Sequence, residues 1–234
     1  MDKIYGRKPA LDAIDAGVKI YRASLVKQKG KVIDQLINKL NKNQIQIDFV
    51  EKNFFDKIDM NHQGVCLEVE SFNYKDLADI DSYQRLIILD QIEDPHNLGA
   101  IIRSAEAFSF DGVIIPERRS AQVSPIVYKT SAGAINNINI IRVKNLTRTI
   151  EDLKENGFWV YGLAGEAEDY LDREDFKGKV CLVVGNEANG ISRLVRENCD
   201  KLIKIPMLGK VNSLNASVAS AITMYEVLRQ NGFS

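Results

Sequence analysis

The 234 residues hold only three cysteines, two histidines, five prolines and one tryptophan. Cys66, Cys181 and Cys199 are odd in number and lie at no metal-ligand spacing, so they read as thiols of a reducing compartment rather than as a disulfide frame. Only His62 and His96 could help the carboxylates Asp90, Glu93 and Asp94 hold Mg²⁺ for phosphate-ester cleavage, and their spacing matches no ligand pattern, so no metal is expected. No stretch approaches the roughly 18 uninterrupted apolar residues of a membrane helix. The opening MDKIYGRKPALDAI lacks the apolar centre of a signal peptide. The expectation is a cytoplasmic chain with no membrane partner. A GxGxxG loop is also missing. Neither GNEANG at Gly185 nor GLAGEAED at Gly162 matches it, which leaves a dinucleotide site poorly supported.

A hydrophobic content of 45% is enough for one large core or two modest ones. The net charge of −1 conceals an asymmetry. Residues 1–57 carry 12 Lys and Arg against 7 Asp and Glu, whereas the remainder carries 19 against 25. A basic first quarter points towards a polyanion such as RNA, although lysine-rich helices are often only solvated. Residues 9–16 and 31–42 have helical periodicity, and YRASLV, IQIDFV and GVCLEV read as strands. They form a small α/β unit over 1–72, followed by a turn-poor linker over 73–84.

From 85 to 234 the rhythm changes. LIILD, GVIIP, INIIRV, FWVYGL, VCLVV and KLIKI are strand-length apolar runs, separated by helical stretches near 99–109, 124–134, 146–156, 191–198 and 213–231. This alternation predicts a mainly parallel sheet covered by helices, with any ligand at the carboxyl ends of its strands.

Three polar clusters follow such strand ends. DQIEDPHNLGAIIRSAEAF places Asn97 where it can cap a helix, and sets Arg103 within an otherwise apolar series. An Arg near a pocket is suited to clasping phosphate. VCLVVGNEANGIS runs from a buried strand into Gly185, Glu187 and Gly190, with a helix from about Ile191. IPMLGKVNSLNASVASAITMYEVL sets Pro206, Gly209 and a run of Asn and Ser before a helix. Ser213 or Asn212 could cap that helix, and Leu214, Val218, Ala221, Ile222 and Tyr225 recur on one face. Each cluster alone is an ordinary turn; their convergence on one sheet edge makes them a candidate site.

Together the three segments resemble, in order, the three signature motifs of the SpoU (TrmH-like) branch of the SPOUT RNA methyltransferases, and KTSAGA at Lys129–Ala134 also fits. Through KIYGRKPALDAI and NHQGVCLEV the first 70 or so residues resemble the small RNA-binding domain of the ribosomal-RNA members, itself similar to a ribosomal protein family. The resemblance implies an α/β-knot domain ending in a trefoil knot, S-adenosylmethionine as cofactor, and methyl transfer to a ribose 2′-hydroxyl of RNA. A guanosine of large-subunit ribosomal RNA is the expected substrate, and a homodimer the expected assembly. It also implies that Arg103, Asn97, Glu187, Ser213 and Asn215 form the catalytic centre. Gly185, Ile205, Leu214, Leu163, Thr130, Met207 and Gly209 would contact the cofactor. The alternatives are a transfer-RNA methyltransferase and a non-catalytic RNA-binding or ribosome-assembly protein.

Overall fold

In the computed structural model, which describes residues 1–58 and 61–232, the chain separates into two units. The first comprises Met1–Asn73 with Val123–Lys129, and the second Tyr74–Gln122 with Thr130–Ser234.

The first unit contains β1 (Asp2–Tyr5), α1 (Arg7–Asp15), β2 (Ile20–Val26), α2 (Lys31–Lys42), β3 (Gln46–Val50) and β4 (Val65–Val69). Its sheet runs β1-β4-β2-β3, with β4 antiparallel to both neighbours and β2 parallel to β3. Alternation builds the core. Val65, Leu67 and Val69 of β4 pack with Ile33, Leu36 and Leu40 of α2, at spacings of two and of three to four residues. Strand β1 was not anticipated. Helix α1 begins two residues earlier than its apolar pattern indicates, because Gly6 turns the chain at φ 96° immediately before it.

The second unit contains β5 (Arg85–Asp90), α3 (Pro95–Ala107), β6 (Gly112–Pro116), β7 (Asn139–Val143), α5 (Leu146–Glu155), β8 (Trp159–Leu163), the two-residue β9 (Asp169–Tyr170), β10 (Val180–Gly185), α6 (Arg193–Asn198), β11 (Lys201–Lys204) and α7 (Ala216–Asn231); α4 (Pro125–Thr130), between β6 and β7 in the chain, falls in the first unit up to Lys129. Seven strands pair in the order β7-β6-β5-β10-β8-β11-β9, all in parallel. Central strands such as Leu86–Leu89 and Val180–Val184 are buried on both faces, which is why they read as continuous apolar runs. From β5 the chain crosses to β6 on one side; from β10 it goes to β11 on the other. The adjacent pair β5–β10, in register at Asp90 and Gly185, is therefore a switch point where such sheets open a crevice.

Three expectations need correction. The helix anticipated over 124–134 stops at Thr130, since Ala132 and Gly133 adopt φ 51° and 90° and break the helical path. Helix α7 starts at Ala216 rather than at Ser213, and its cap is Asn215, whose Oδ1 accepts from the N–H groups of Ser217 (2.9 Å) and Val218 (3.4 Å). Its buried face is not the apolar one. Ala216, Ser220, Thr223, Met224 and Val227 point inward, while Val218, Ile222 and Tyr225 remain 46%, 39% and 47% exposed. Small residues let α7 lie close to α3. The hydroxyls of Ser220 and Thr223 donate to the carbonyls of Ala216 (2.7 Å) and Ala219 (2.9 Å), so burying them leaves no unmet donor. The far end of α7 is tied to the stretch before β10: the Phe176 N–H donates to Gln230 Oε1 (3.0 Å), and Asn231 Nδ2 donates to the Phe176 carbonyl (2.9 Å).

Candidate active site

At the switch point, β5 ends in Asp90, a buried carboxylate whose Oδ2 accepts from the Ser192 N–H at 2.6 Å and so fixes the approach to α6. Asp94, not Asn97, caps α3. Its Oδ1 takes the His96 N–H at 2.8 Å, and Pro95 fills the first helical position, where a missing N–H costs nothing. Asn97 is thereby carried into the helix and buried, and its amide is free for tertiary contacts.

Those contacts join all three clusters. Asn97 Nδ2 donates to Glu187 Oε1 (2.8 Å), and Asn97 Oδ1 accepts from Asn215 Nδ2 (2.9 Å). Asn215 Nδ2 also donates to Glu187 Oε1 (3.0 Å), as does the Ala216 N–H (3.2 Å). One carboxylate oxygen thus gathers three donors from the starts of α3 and α7. Hydrogen bonds to an ionised acceptor are the stronger kind, and here they hold the loop after β10 against two helices. The same Asn215 caps α7 with its Oδ1 and clasps Glu187 with its Nδ2.

The loop is also shaped from within. Asn186 Oδ1 accepts from the N–H groups of Ala188 (3.0 Å) and Asn189 (2.7 Å), and the Gly190 N–H returns to the Asn186 carbonyl (2.9 Å). A Cβ on Gly185 would lie 2.0 Å from the carbonyl carbon and oxygen of Gly190 and 2.3 Å from the Ile191 nitrogen. Only glycine allows the strand end and the loop to approach so closely.

Beside this clamp is a cavity of about 380 Å³, walled by the chain after β8, the loop after β10 and the stretch before α7. Of the expected cofactor contacts, Leu163, Gly185, Ile205, Met207 and Leu214 line it, whereas Thr130 and Gly209 do not. Glu187 and Ser213 are also on the wall, with Asn97 and Asn215 bonded to Glu187. Arg103 stands apart from this cluster. It is exposed on α3, and its side chain has no hydrogen bond or ion pair among the described residues. Sequence reasoning did not single out Glu166 and Arg196, which form an ion pair on the cavity wall. Glu166 lies in the glycine-containing GLAGEAED stretch that runs out of β8, which is the signal that the sequence offers for it.

The nearby thiols are not nucleophiles. Burial pushes the Cys199 thiol up to about 12 and the Cys181 thiol well above its ordinary value. Among the described residues no group of three or more His, Cys, Asp or Glu is placed to hold a metal ion.

The SpoU rRNA methylase family model matches residues 84–225, and the model for the RNA 2′-O ribose methyltransferase substrate-binding domain matches residues 3–75. The chain is 39% identical to the putative TrmH family tRNA/rRNA methyltransferase YacO of Bacillus subtilis, covering 98% of this chain and 96% of that protein. It is also 39% identical to the uncharacterized tRNA/rRNA methyltransferase slr0955 of Synechocystis, of whose length the alignment spans 64%. Among solved structures, the AdoMet-bound rRNA methyltransferase of Sinorhizobium meliloti superposes with a TM-score of 0.65 at 26% identity, covering 97% of this chain and 86% of that one.

Proposed function

The chain belongs to the SpoU family of RNA methyltransferases, and from that premise we propose that it transfers a methyl group from S-adenosylmethionine to a ribose 2′-hydroxyl of RNA, with a guanosine of large-subunit ribosomal RNA as the substrate. The observation that carries this reading is the Asn97–Glu187–Asn215 clamp beside a glycine-closed cavity at the sheet's switch point. A protein that merely bound RNA would have no use for it.

The cavity suits this cofactor. Its volume of about 380 Å³ falls within the ordinary range for small-molecule sites. Residues 206–214 make no main-chain hydrogen bonds among the described residues, so N–H and C=O groups on the cavity's rim are left for a ligand with an adenine edge and a ribose diol. Leu163, Gly185, Ile205, Met207 and Leu214, which line the cavity, would hold the cofactor. The chemistry it supplies when bound is an electrophilic methyl group on sulfur.

The protein must then position a hydroxyl in line and ease the departure of its proton. Arg103 cannot take that proton, because a guanidinium stays charged below a pH of ~12. Exposed and without a side-chain partner, it instead grips the phosphate beside the target ribose and stabilises the developing alkoxide, whose proton passes to solvent as the methyl is transferred. Glu187, with one oxygen already accepting three donors, acts as the clamp that fixes the loop. Asn97 and Asn215 orient it, and Ser213 on the cavity wall directs the ribose. Residues 1–72 serve as the RNA-binding unit, 73–84 as the linker and 85–234 as the methyltransferase domain. The exposed stripe Val218, Ile222 and Tyr225 on α7 supports a homodimer, which sedimentation at micromolar concentration would reveal; a monomer there would refute it. No helix of the described residues is long and apolar enough to cross a membrane, which is compatible with work on RNA in the cytoplasm.

The direct test uses label-bearing S-adenosylmethionine and unmodified ribosomal RNA, followed by digestion to nucleosides and mass spectrometry. The expected product is 2′-O-methylguanosine. Transfer only to transfer RNA, a reading that the tRNA/rRNA names of the relatives equally allow, would overturn the substrate. A base-methylated product would overturn the ribose assignment. Cofactor binding without any transfer would favour a non-catalytic RNA-binding protein.

A further inference from the structure

Two of the stretches that identify the first unit, GRKP at the start of α1 and HQGV before β4, have no task in the chemistry above. The structure joins them. The Arg7 main-chain N–H donates to Gln63 Oε1 (3.2 Å), Arg7 Nη2 to Gln28 Oε1 (2.6 Å), and Gln28 Nε2 to the Gln63 carbonyl (2.9 Å). The neighbouring His62 lies flat on Phe55, with ring centroids 4.5 Å apart and planes 4° from parallel. Phe55 is buried and meets Phe54 edge-on at 5.0 Å, which leaves Phe54 46% exposed. Next to Gln28, Lys27 Nζ sits 5.8 Å from the ring centroid of Phe49, which is 50% exposed. A pinned polar scaffold therefore displays two half-bare aromatic rings along one edge of the unit.

The lysines at this edge are unpaired, although the exposed carboxylates Asp34, Glu51 and Asp56 lie in the same stretches. Lys27, Lys29 and Lys31, on and after the turn from β2 into α2, and Lys52, after β3, are exposed and have no carboxylate partner among the described residues. Elsewhere in the unit Lys19, Arg22 and Lys39 pair with Glu70, Asp48 and Asp15, and Lys3, Lys42 and Lys57 are the other unpaired lysines. Unpaired cations interleaved with exposed rings have the two functions that single-stranded nucleic acid requires: charge for phosphates and flat faces for bases. A duplex keeps its bases stacked inside and would leave the rings unused.

We propose that this edge, built on Arg7, Gln28 and Gln63 and displaying Lys27, Lys29, Phe49 and Phe54, is where the chain grips an unpaired segment of its RNA. The inference rests on reading the chain as an RNA methyltransferase and adds the surface and the strandedness of what it holds.

The test is fluorescence anisotropy with the full chain and a labelled 20-nucleotide oligouridine across a salt series. Each lost phosphate contact lowers the salt slope by about 0.7 on a single strand, so K27A/K29A lowers it by about 1.4, and affinity at 0.1 M salt by about 25-fold. The charge-matched pair K3A/K42A leaves both within about twofold. Phe54→Ser weakens binding about tenfold by removing a stacking face, and Phe54→Tyr restores it. S-adenosylmethionine affinity, measured in parallel by calorimetry, does not change in any of these variants. Equal weakening by the two lysine pairs, or tighter binding of a blunt duplex of the same length than of oligouridine, overturns the proposal. Absence of methyl transfer by the unaltered chain to any RNA, with oligouridine binding still dependent on Lys27 and Lys29, would instead refute the enzymatic reading and leave this surface standing.

Discussion

Replacing Glu187 tests the clamp most directly, because the structure says what each lost bond costs. In Glu187→Ala the Asn97 Nδ2, the Asn215 Nδ2 and the Ala216 N–H all lose their shared acceptor. Asn97 is buried, so its stranded donor costs about 1–3 kcal/mol. Asn215 is exposed and reaches water, and the two remaining donors together add on the order of 1 kcal/mol. The sum is about 2–4 kcal/mol, or a fall in melting temperature of about 6–12 °C for a domain of this size. Glu187→Gln keeps an acceptor oxygen but loses the charge, so its fall should be about half as large. Thermal melting by circular dichroism checks the order, and a double-mutant cycle with Asn97→Ala should return a coupling of about 1–2 kcal/mol. If Glu187→Ala melts within 1 °C of the unaltered protein, the three bonds carry no stability and the clamp is not one. If the loss falls on the transition of the first unit, the assignment of the clamp to the second is wrong.

Gly185→Ala should fold its first unit normally but lose S-adenosylmethionine affinity at least 100-fold by calorimetry, because the new Cβ would meet Gly190 main-chain atoms at 2.0 Å; retained affinity would show that the loop can relax. Arg103→Ala should lose turnover at least 100-fold with cofactor affinity unchanged, since Arg103 lies off the cavity wall; Arg103→Lys should recover little of it, because lysine lacks the planar fork, and unchanged turnover in either would remove Arg103 from catalysis. Stability should decline in alkali. Burial raises the folded Cys199 thiol from 9.0 to about 12, so its neutral form is favoured fully below pH 9, and that preference disappears as pH climbs through 9 towards 12, at up to about 1.4 kcal/mol per unit. Urea midpoints at pH 8, 9.5 and 11 check this, and Cys199→Ala should lessen the decline while leaving the contributions of Cys181, whose thiol burial also raises, and of Tyr161, raised to about 12.

What could be read from the sequence depended on the range of the forces involved. The parallel sheet was legible because strands buried on both faces must be apolar throughout, and Leu86–Leu89 and Val180–Val184 have no other pattern to adopt. The helices of the first unit were legible for the same reason, in that Ile33, Leu36 and Leu40 have a single core to face. Local capping rules failed at two asparagines, and in opposite directions. Asn97 looked like a cap but is displaced from that role by Asp94 and Pro95, three and two residues earlier. Asn215 did not look like one, because Ser213 and Asn212 preceded it with equally good side chains. Nothing within a few residues of either position distinguishes the candidates. The choice is made by Glu187, which lies 90 positions from one asparagine and 28 from the other and accepts from both.

The inverted face of α7 has the same origin. Periodicity assigns Val218, Ile222 and Tyr225 to the core because transfer from water favours the larger apolar side chains. The core selects for fit instead. Against α3 and the stretch around Phe176, α7 needs small residues at contact, and the hydroxyls of Ser220 and Thr223 cost little there because their own helix's carbonyls satisfy them. The larger residues are left half-exposed on the outer side, where Tyr225 meets Phe108 edge-on at 5.9 Å. A helix with its small residues packed inward and its larger apolar residues half-exposed suits the proposed homodimer. Sedimentation of Tyr225→Glu therefore bears on fold and function together: a dimer that separates into folded monomers would explain why the sequence spends its best apolar positions on the outside of the domain.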